Sequence, residues 1–181
     1  VLEIDPQTRK VVASSGELLE LWPDRVGEDS RVKAIVAEYA AAVDRLFDTV
    51  VATAPAVLGR EADRENAVGD WMTDCYRSLL GADVALQNGG GIRAELPAGP
   101  VTLRAIFNVM PFDNALVKLA MKGSDLRAVF EHGAGMARVA QISGAVIEYR
   151  RGKPAGERRA AAAVGGAPLD EVALDVVGPD L

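Results

Sequence analysis

Cysteine and histidine occur once each in 181 residues, as Cys75 and His132. A lone cysteine cannot form an internal disulfide, and a lone histidine cannot build a His-rich metal site. Catalysis of the Cys-His, Ser-His or His-metal type is therefore close to excluded. Basic residues are also short: 20 Lys and Arg face 26 Asp and Glu, giving a net charge of −6 and a pI of about 4.9. No broad basic field is available to hold a nucleic acid by its phosphates. Two or three local arginines would still suffice for a small anion. No run reaches the roughly 18 apolar residues that a membrane span needs. What remains is 49% apolar and 25% charged in 19.1 kDa, the make-up of one globular domain with a real core and a small appendage.

The chain opens at Val1 with two apolar runs, Leu2-Glu3-Ile4 and Lys10-Val11-Val12-Ala13, around Asp5-Pro6-Gln7-Thr8. That pattern predicts a hairpin, which is marginal alone and so reads as part of a larger sheet. Residues Glu17 to Glu28 are polar, contain Pro23 and Gly27, and read as a linker. Asp29-Ser30 then offers an N-cap to a helix with Val32, Ile35, Val36, Tyr39, Val43, Leu46, Phe47 and Val50 at three- and four-residue steps. The pattern fits either an ordinary core helix or a connector between domains.

Further on, Val50 to Leu58 reads as a strand, and Gly59 to Asp63 as a loop carrying Arg60, with Arg64 beyond it. A helix is expected from about Asn66 to Leu80, with Cys75 as buried filler and Asp70 and Asp74 on a solvated face. Asp83 to Leu86 is a short strand. Thr102 caps a helical turn through Leu103, Ile106, Phe107 and Val109, and Asn114 to Met121 alternates as a strand. Ser124 is expected to cap a helix buried through Leu126, Val129 and Phe130, with His132 near its end as a cap or surface residue. Strands are read at Ile142–Tyr149 and Val172–Val177, with a solvated hairpin loop from Arg150 to Arg159. Helices and strands mix without steady βαβ alternation, which favours α+β over a doubly wound parallel fold.

Two segments could carry chemistry. Asn88-Gly89-Gly90-Gly91-Ile92-Arg93 follows a strand directly. Its glycines allow φ > 0 and close backbone approach to a ligand, and their N–H groups can form an anion-binding concavity. Asn88 adds an amide, and Arg93 a planar fork for carboxylate, phosphate or vicinal hydroxyls. The spacing is neither GxGxxG before a helix nor a P-loop, so a plain tight turn competes with a ligand loop. In Met110-Pro111-Phe112-Asp113-Asn114, Pro111 stiffens a loop on which Phe112 could stack a planar base and Asn114 read its edge. A core Phe and a turn Asn are the bland alternative.

Read in order, Asn88 to Arg93, Pro97-Ala98-Gly99-Pro100-Val101-Thr102, Met110 to Asn114, Lys122-Gly123-Ser124-Asp125-Leu126 and Phe130-Glu131-His132 resemble the C-terminal domain of the 5′-nucleotidase family. That family includes UDP-sugar hydrolases and 2′,3′-cyclic-nucleotide phosphodiesterases. Glu65-Asn66-Ala67-Val68-Gly69-Asp70 is similar to its helix-opening Glu-x-x-x-Gly-Asn segment.

The resemblance implies an α+β fold layered α/β/β/α over residues 29–181. Residues 1–28 would be a remnant hairpin and linker from a preceding metallophosphoesterase domain. That domain would hold two divalent metal ions and the hydrolytic chemistry, against which the C-terminal domain swings. The helix of about residues 30–50 would be the connector. A nucleotide or nucleoside is the implied ligand, with Asn88, Gly90, Gly91 and Arg93 at the sugar, and Phe112 and Asn114 at the base. The chain alone is expected to be inactive, and the family expectation for compartment is periplasmic, secreted or cell-surface.

Two departures matter. The family's substrate arginine, seven residues before Gly69, falls on Ala62, leaving Arg60 or Arg64 as substitutes. The closing Gly-Gly-Asp-Gly-aromatic segment would begin where Gly178-Pro179-Asp180-Leu181 stands. Both departures keep one rival open, an interaction module that has lost its ligand; a thiosulfohydrolase-type enzyme on the same fold is a second rival.

Overall fold

The computed structural model describes residues 1–150, 152–169 and 173–179. The chain divides into two compact units, Val1–Asp44 and Arg45–Leu181. In the first, β1 (Leu2–Ile4) and β2 (Val11–Ser14) pair antiparallel with Leu2 opposite Ser14, the hairpin expected from sequence. Asp5 makes the turn: its Oδ1 accepts from the N–H groups of Gln7 at 2.7 Å and Thr8 at 3.2 Å. A single helical turn, α1 (Pro23–Val26), interrupts the stretch read as linker. Helix α2 (Ser30–Phe47) is capped by Asp29, whose Oδ1 accepts from the Arg31 and Val32 N–H groups. None of its residues is buried, so its apolar stripe does not make it a core helix.

The second unit begins with β3 (Val50–Ala54), which ends at Pro55 rather than running on to Leu58. Helix α3 (Ala67–Leu80) follows, then β4 (Val84–Gln87). β5 (Gly99–Thr102), unforeseen because it holds Gly99 and Pro100, pairs antiparallel with β3 as a two-stranded ribbon. A proline is tolerated there because each strand is an edge. Thr102 caps α4 (Leu103–Val109), accepting from the Ala105 N–H at 3.2 Å. β6 (Leu116–Lys122) runs straight into α5 (Gly123–Ala134). The cap position is Lys122, without a side-chain hydrogen bond, so Ser124 lies inside the helix and does not cap it.

The stretch 142–149, read as one strand, is two, β7 (Gln141–Ser143) and β8 (Ala145–Tyr149), in different sheets. Gly144 between them has φ +84°, a left-handed turn that swings the chain from one sheet to the other. The alanine run lies in β9 (Arg159–Val164), and the loop read from Arg150 to Arg159 joins it to β8 as an antiparallel pair. Finally come β10 (Ala167–Pro168) and β11 (Ala173–Pro179). The expected strand start at Val172, and the last two residues Asp180 and Leu181, lie outside the described residues.

The four-stranded sheet has the order β6-β11-β4-β7, with β11 parallel to β4 and the other pairs antiparallel. The second sheet has the order β10-β9-β8. Strand alternation turns the larger sheet's residues to its two faces. Val84, Leu174 and Val176 pack with Leu126 and Phe130 of α5 and with Ile147 of the second sheet. From the opposite face, Gln87 meets Tyr76 of α3. On its far side α3 contributes Val68 and Met72 to another core, with Ala54, Val101, Val109 and Ile92. The result is an α+β fold, with α3 between the main sheet and the β3–β5 ribbon and with α5 and the second sheet on the other face.

Candidate functional site

β4 ends on Gln87, a fully buried glutamine that locks the next turn. Its Nε2 donates to the Asn88 carbonyl at 3.1 Å and to Asn88 Oδ1 at 2.8 Å, while its Oε1 accepts from Tyr76 Oη at 3.3 Å. The Gly91 N–H closes the turn onto the Asn88 carbonyl at 2.9 Å. None of Gly89, Gly90 and Gly91 has a positive φ, so left-handed backbone is not why glycine stands there. Close approach is the reason at two of the three. A Cβ on Gly89 would lie 2.3 Å from the Val139 carbonyl oxygen, and one on Gly91 2.6 Å from Gln87 Nε2. At Gly90 the nearest atom is 4.0 Å away, so this glycine leaves open space.

Arg93 closes the segment. Its N–H donates to the Val109 carbonyl at 2.7 Å and its Nη1 to the Gly90 carbonyl at 3.3 Å. Ile92 and Val109 are both buried in one core, so the Asn88–Arg93 turn and the start of the Met110–Asn114 loop form a single junction. Phe112 is 49% exposed on that loop, and Asn114 is exposed beside it. Phe112 is therefore an aromatic displayed to solvent rather than a core residue.

The rest of the site comes from two loops that meet at a second buried glutamine. Gln141 Nε2 donates to the Arg64 and Val139 carbonyls at 3.2 and 3.0 Å, and its Oε1 accepts from the Asn66 N–H at 2.9 Å. Asn66 caps α3, accepting from the Gly69 N–H at 2.9 Å and donating to the Glu61 carbonyl at 2.9 Å. Gly69 is glycine because a Cβ there would lie 2.3 Å from Gln141 Cγ. The Val139 N–H donates to the Ala62 carbonyl at 3.0 Å. Residues 60–66 and 138–141 are thus fixed to one another.

This fixes the fate of the two candidate arginines. Arg60 is half-buried, and burial together with the charges of Arg138 and Arg93 holds its guanidinium below its ordinary pKa. Its Nε is buried and has no hydrogen-bond partner among the described residues. Arg64 is exposed, pairs with Asp63 at 3.6 Å, and lines an open cleft with Glu61, Glu65 and Asp70. Of the two, Arg60 stands in the field of Arg93. Arg138 gave no sequence signal, since it lies outside every motif and periodic run. Gln87 and Gln141 were missed as well, though a glutamine beside each end of an otherwise apolar strand was a visible clue.

Asp70 is not on a solvated face. Partial burial, then the neighbouring carboxylate of Glu65, pushes its carboxyl up to about 6, and its Oδ1 has no partner among the described residues. Asp74 accepts from Ser143 Oγ. Cys75 is exposed rather than core filler, because α3 buries Val68, Gly69, Met72 and Thr73 and turns residue 75 away. His132 is exposed in the last turn of α5, where its carbonyl accepts from the Gly135 N–H at 2.9 Å. Nearby, a cavity of about 330 Å³ between β6 and α5 is lined by Val117, Leu119, Met121 and Val129.

The 5′-nucleotidase C-terminal domain family matches residues 50–174, and the chain belongs to that family. It is 34% identical over 130 residues to Endonuclease YhcR of Bacillus subtilis, covering 71% of this chain and 11% of that protein. The crystal structure of a 5′-nucleotidase precursor from Thermus thermophilus matches with a TM-score of 0.77 at 33% identity, covering 98% of this chain and 38% of that one. The sulfate thiohydrolase SoxB of Thermus thermophilus matches at a TM-score of 0.71 over 82% of this chain and 30% of that one; at 16% identity this likeness is one of fold. The chain thus spans well under half the length of these relatives. Among the described residues no helix is long and apolar enough to cross a membrane, and no group of three or more His, Cys, Asp or Glu could hold a metal ion.

Proposed function

We propose that this chain is the substrate-recognising part of a 5′-nucleotidase-type phosphoesterase and takes the nucleoside portion of a nucleotide. Asn88, Gly90, Gly91 and Arg93 hold the sugar, Phe112 stacks on the base, Asn114 reads its edge, and Arg60 adds charge beside Arg93. The observation that carries this reading is the 2.7 Å hydrogen bond from the Arg93 N–H to the Val109 carbonyl. It ties the guanidinium-bearing turn to the loop that displays Phe112, so a hydrogen-bonding fork and a stacking face arise from one junction. Family membership supports the assignment.

Hydrolysis requires more than these residues. The two divalent ions belong to an N-terminal metallophosphoesterase domain of the same polypeptide, and this chain alone is inactive. The test is a two-dimensional NMR titration with adenosine and AMP to millimolar concentration. Localised, saturable shifts at Asn88–Arg93 and around Phe112 are expected. A flat response from both segments to both ligands would overturn the reading.

A further inference from the structure

The outer face of the second sheet and the loop at its end contribute no residue to the proposed nucleotide site. Register defines that face. Val146 pairs with Ala163 and Ala163 with Pro168, so one row of apolar groups crosses all three strands. Ala145, Ile147, Ala162 and Val164, which alternate with them, point the other way, into the core shared with Leu126 and Phe130 of α5. Val146 is 73% exposed, and Pro168 is exposed as well. No side chain in the row is larger than valine, so its relief is low. The next row pairs Glu148 with Ala161.

Beyond that row the chain turns basic. The stretch from Arg150 to Arg159 carries five basic residues and one acidic, net +4 in a chain of net −6, so the remainder stands at −10. The loop has a structure of its own: the Arg150 N–H donates to the Arg158 carbonyl at 2.5 Å, the Lys153 N–H to the Arg150 carbonyl at 3.2 Å, and the Glu157 N–H to the Pro154 carbonyl at 3.1 Å. From α5, Glu131 Oε1 accepts from the Gly156 and Arg158 N–H groups at 2.8 and 3.0 Å, which fixes the loop to the body of the domain. Arg150 and Lys153 are exposed, and among the described residues neither makes an ion pair. Arg25, Lys33, Arg77 and Lys118, by contrast, each lie within 4.0 Å of a carboxylate.

We infer that the outer face of the second sheet and the 150–159 loop form a docking surface for an anionic lipid bilayer. Charge complementarity selects the partner, because clustered Lys and Arg are drawn to acidic headgroups without any pocket. A bilayer need meet only one face of the chain, whereas a long polyanion would also meet its acidic remainder. Tyr149, the aromatic nearest the loop, lies with Ile147 and Phe130 on the inner side, so no ring is offered for a base to stack on. A bound peptide needs pockets for its side chains, which a row of valine, alanine and proline does not give. Glu148 is the carboxylate between the apolar row and the loop, and it opposes the contact.

The test is flotation of the 181-residue chain with vesicles of phosphatidylcholine alone and with vesicles of equal parts phosphatidylcholine and phosphatidylglycerol. Binding is expected to the mixed vesicles only, and it should vanish in molar salt, where the screening length falls to about 3 Å. Lys153→Gln and Arg150→Gln should each weaken it about fivefold, and the double variant about twenty-fivefold. Glu148→Gln should tighten it, a gain that a poorly folded variant would not show. Arg25→Gln removes an exposed charge outside this surface and should change nothing. Equal binding to both vesicles, no binding to the mixed ones, or an Arg25→Gln loss as large as that of Lys153→Gln would overturn the inference. So would a dimer in sedimentation that Val146→Asp dissociates while vesicles stay unbound, since the face would then belong to a second copy of the chain.

Discussion

The two loops of the site are built on opposite terms. The Asn88–Arg93 turn is held from every side: by Gln87 from below, by the Val139 carbonyl against Gly89, and by its own Gly91 and Arg93 hydrogen bonds. The Met110–Asn114 loop is anchored at its first residue, where the Met110 N–H donates to the Ile106 carbonyl at 3.3 Å, and then runs out to an aromatic half in water. One loop has its geometry set before any ligand arrives. The other offers an exposed aromatic surface. A fork of directional hydrogen-bond donors loses its value if it wanders by an ångström, whereas a stacking face tolerates sliding because every base has a π-face.

The sharpest way to break that contrast is on the pinned side. Gly89→Ala would drive a methyl into the Val139 carbonyl. A cost of about 3 kcal/mol is expected, seen as a fall in Tm of roughly 6–12 °C by calorimetry. On the displayed side, Phe112→Ala should move stability by no more than about 0.5 kcal/mol. It should weaken adenosine binding about ten- to hundredfold, or about 1–3 kcal/mol, in a titration. If Phe112→Ala lowered Tm as much as Gly89→Ala, the distinction between the loops would collapse.

A third variant probes the first turn of α3 through pH. Asp70 has its carboxyl raised to about 6 beside Glu65, so the folded chain binds its proton more tightly than the unfolded chain does. Stability attributable to Asp70 therefore rises as pH falls through about 6, and is complete below the unfolded value near 4. Asp70→Asn removes the dependence. It should stabilise the chain by about 1 kcal/mol at pH 7.5, after allowance for screening by water at this partly exposed site, and by nothing at pH 4. Equal Tm differences at the two pH values would show that Asp70 titrates normally. Smallest of all is Gly90→Ala. With 4.0 Å of clearance and no positive φ, it should alter Tm by less than about 2 °C, in contrast to its neighbour one residue away.

Much of this arrangement was legible in the sequence, and the rest was not for identifiable reasons. Local signals held up: the Asp5 turn, the Asp29 cap, the Thr102 cap and the alternation through Val117, Leu119 and Met121 all lie where period and turn chemistry put them. The ordered motifs from Asn88 to His132 identified the family. Errors came where tertiary partners decided. Gly144 splits a stretch read as one strand, because its halves join different sheets, and the Ser143-Gly144 turn signal was passed over. Cys75 was placed inward by residue type, although α3 buries its Val68–Met72 stripe instead. Arg138 acts on Arg60 across more than seventy residues of chain, where the adjoining Val139 N–H donates to the Ala62 carbonyl, a contact that no local pattern encodes.

Gln141 carries a consequence of its own. One buried amide serves the Arg64 carbonyl, the Val139 carbonyl and the Asn66 N–H, so three segments share a single fastener. Such a node cannot yield in one direction alone: moving the Arg60 loop toward a ligand would undo the cap of α3 and the edge strand β7 together. The arginine end should therefore behave as a die rather than a hand. Ligands that fit would differ in how long they stay, and those that do not fit would be refused at entry instead of being accommodated.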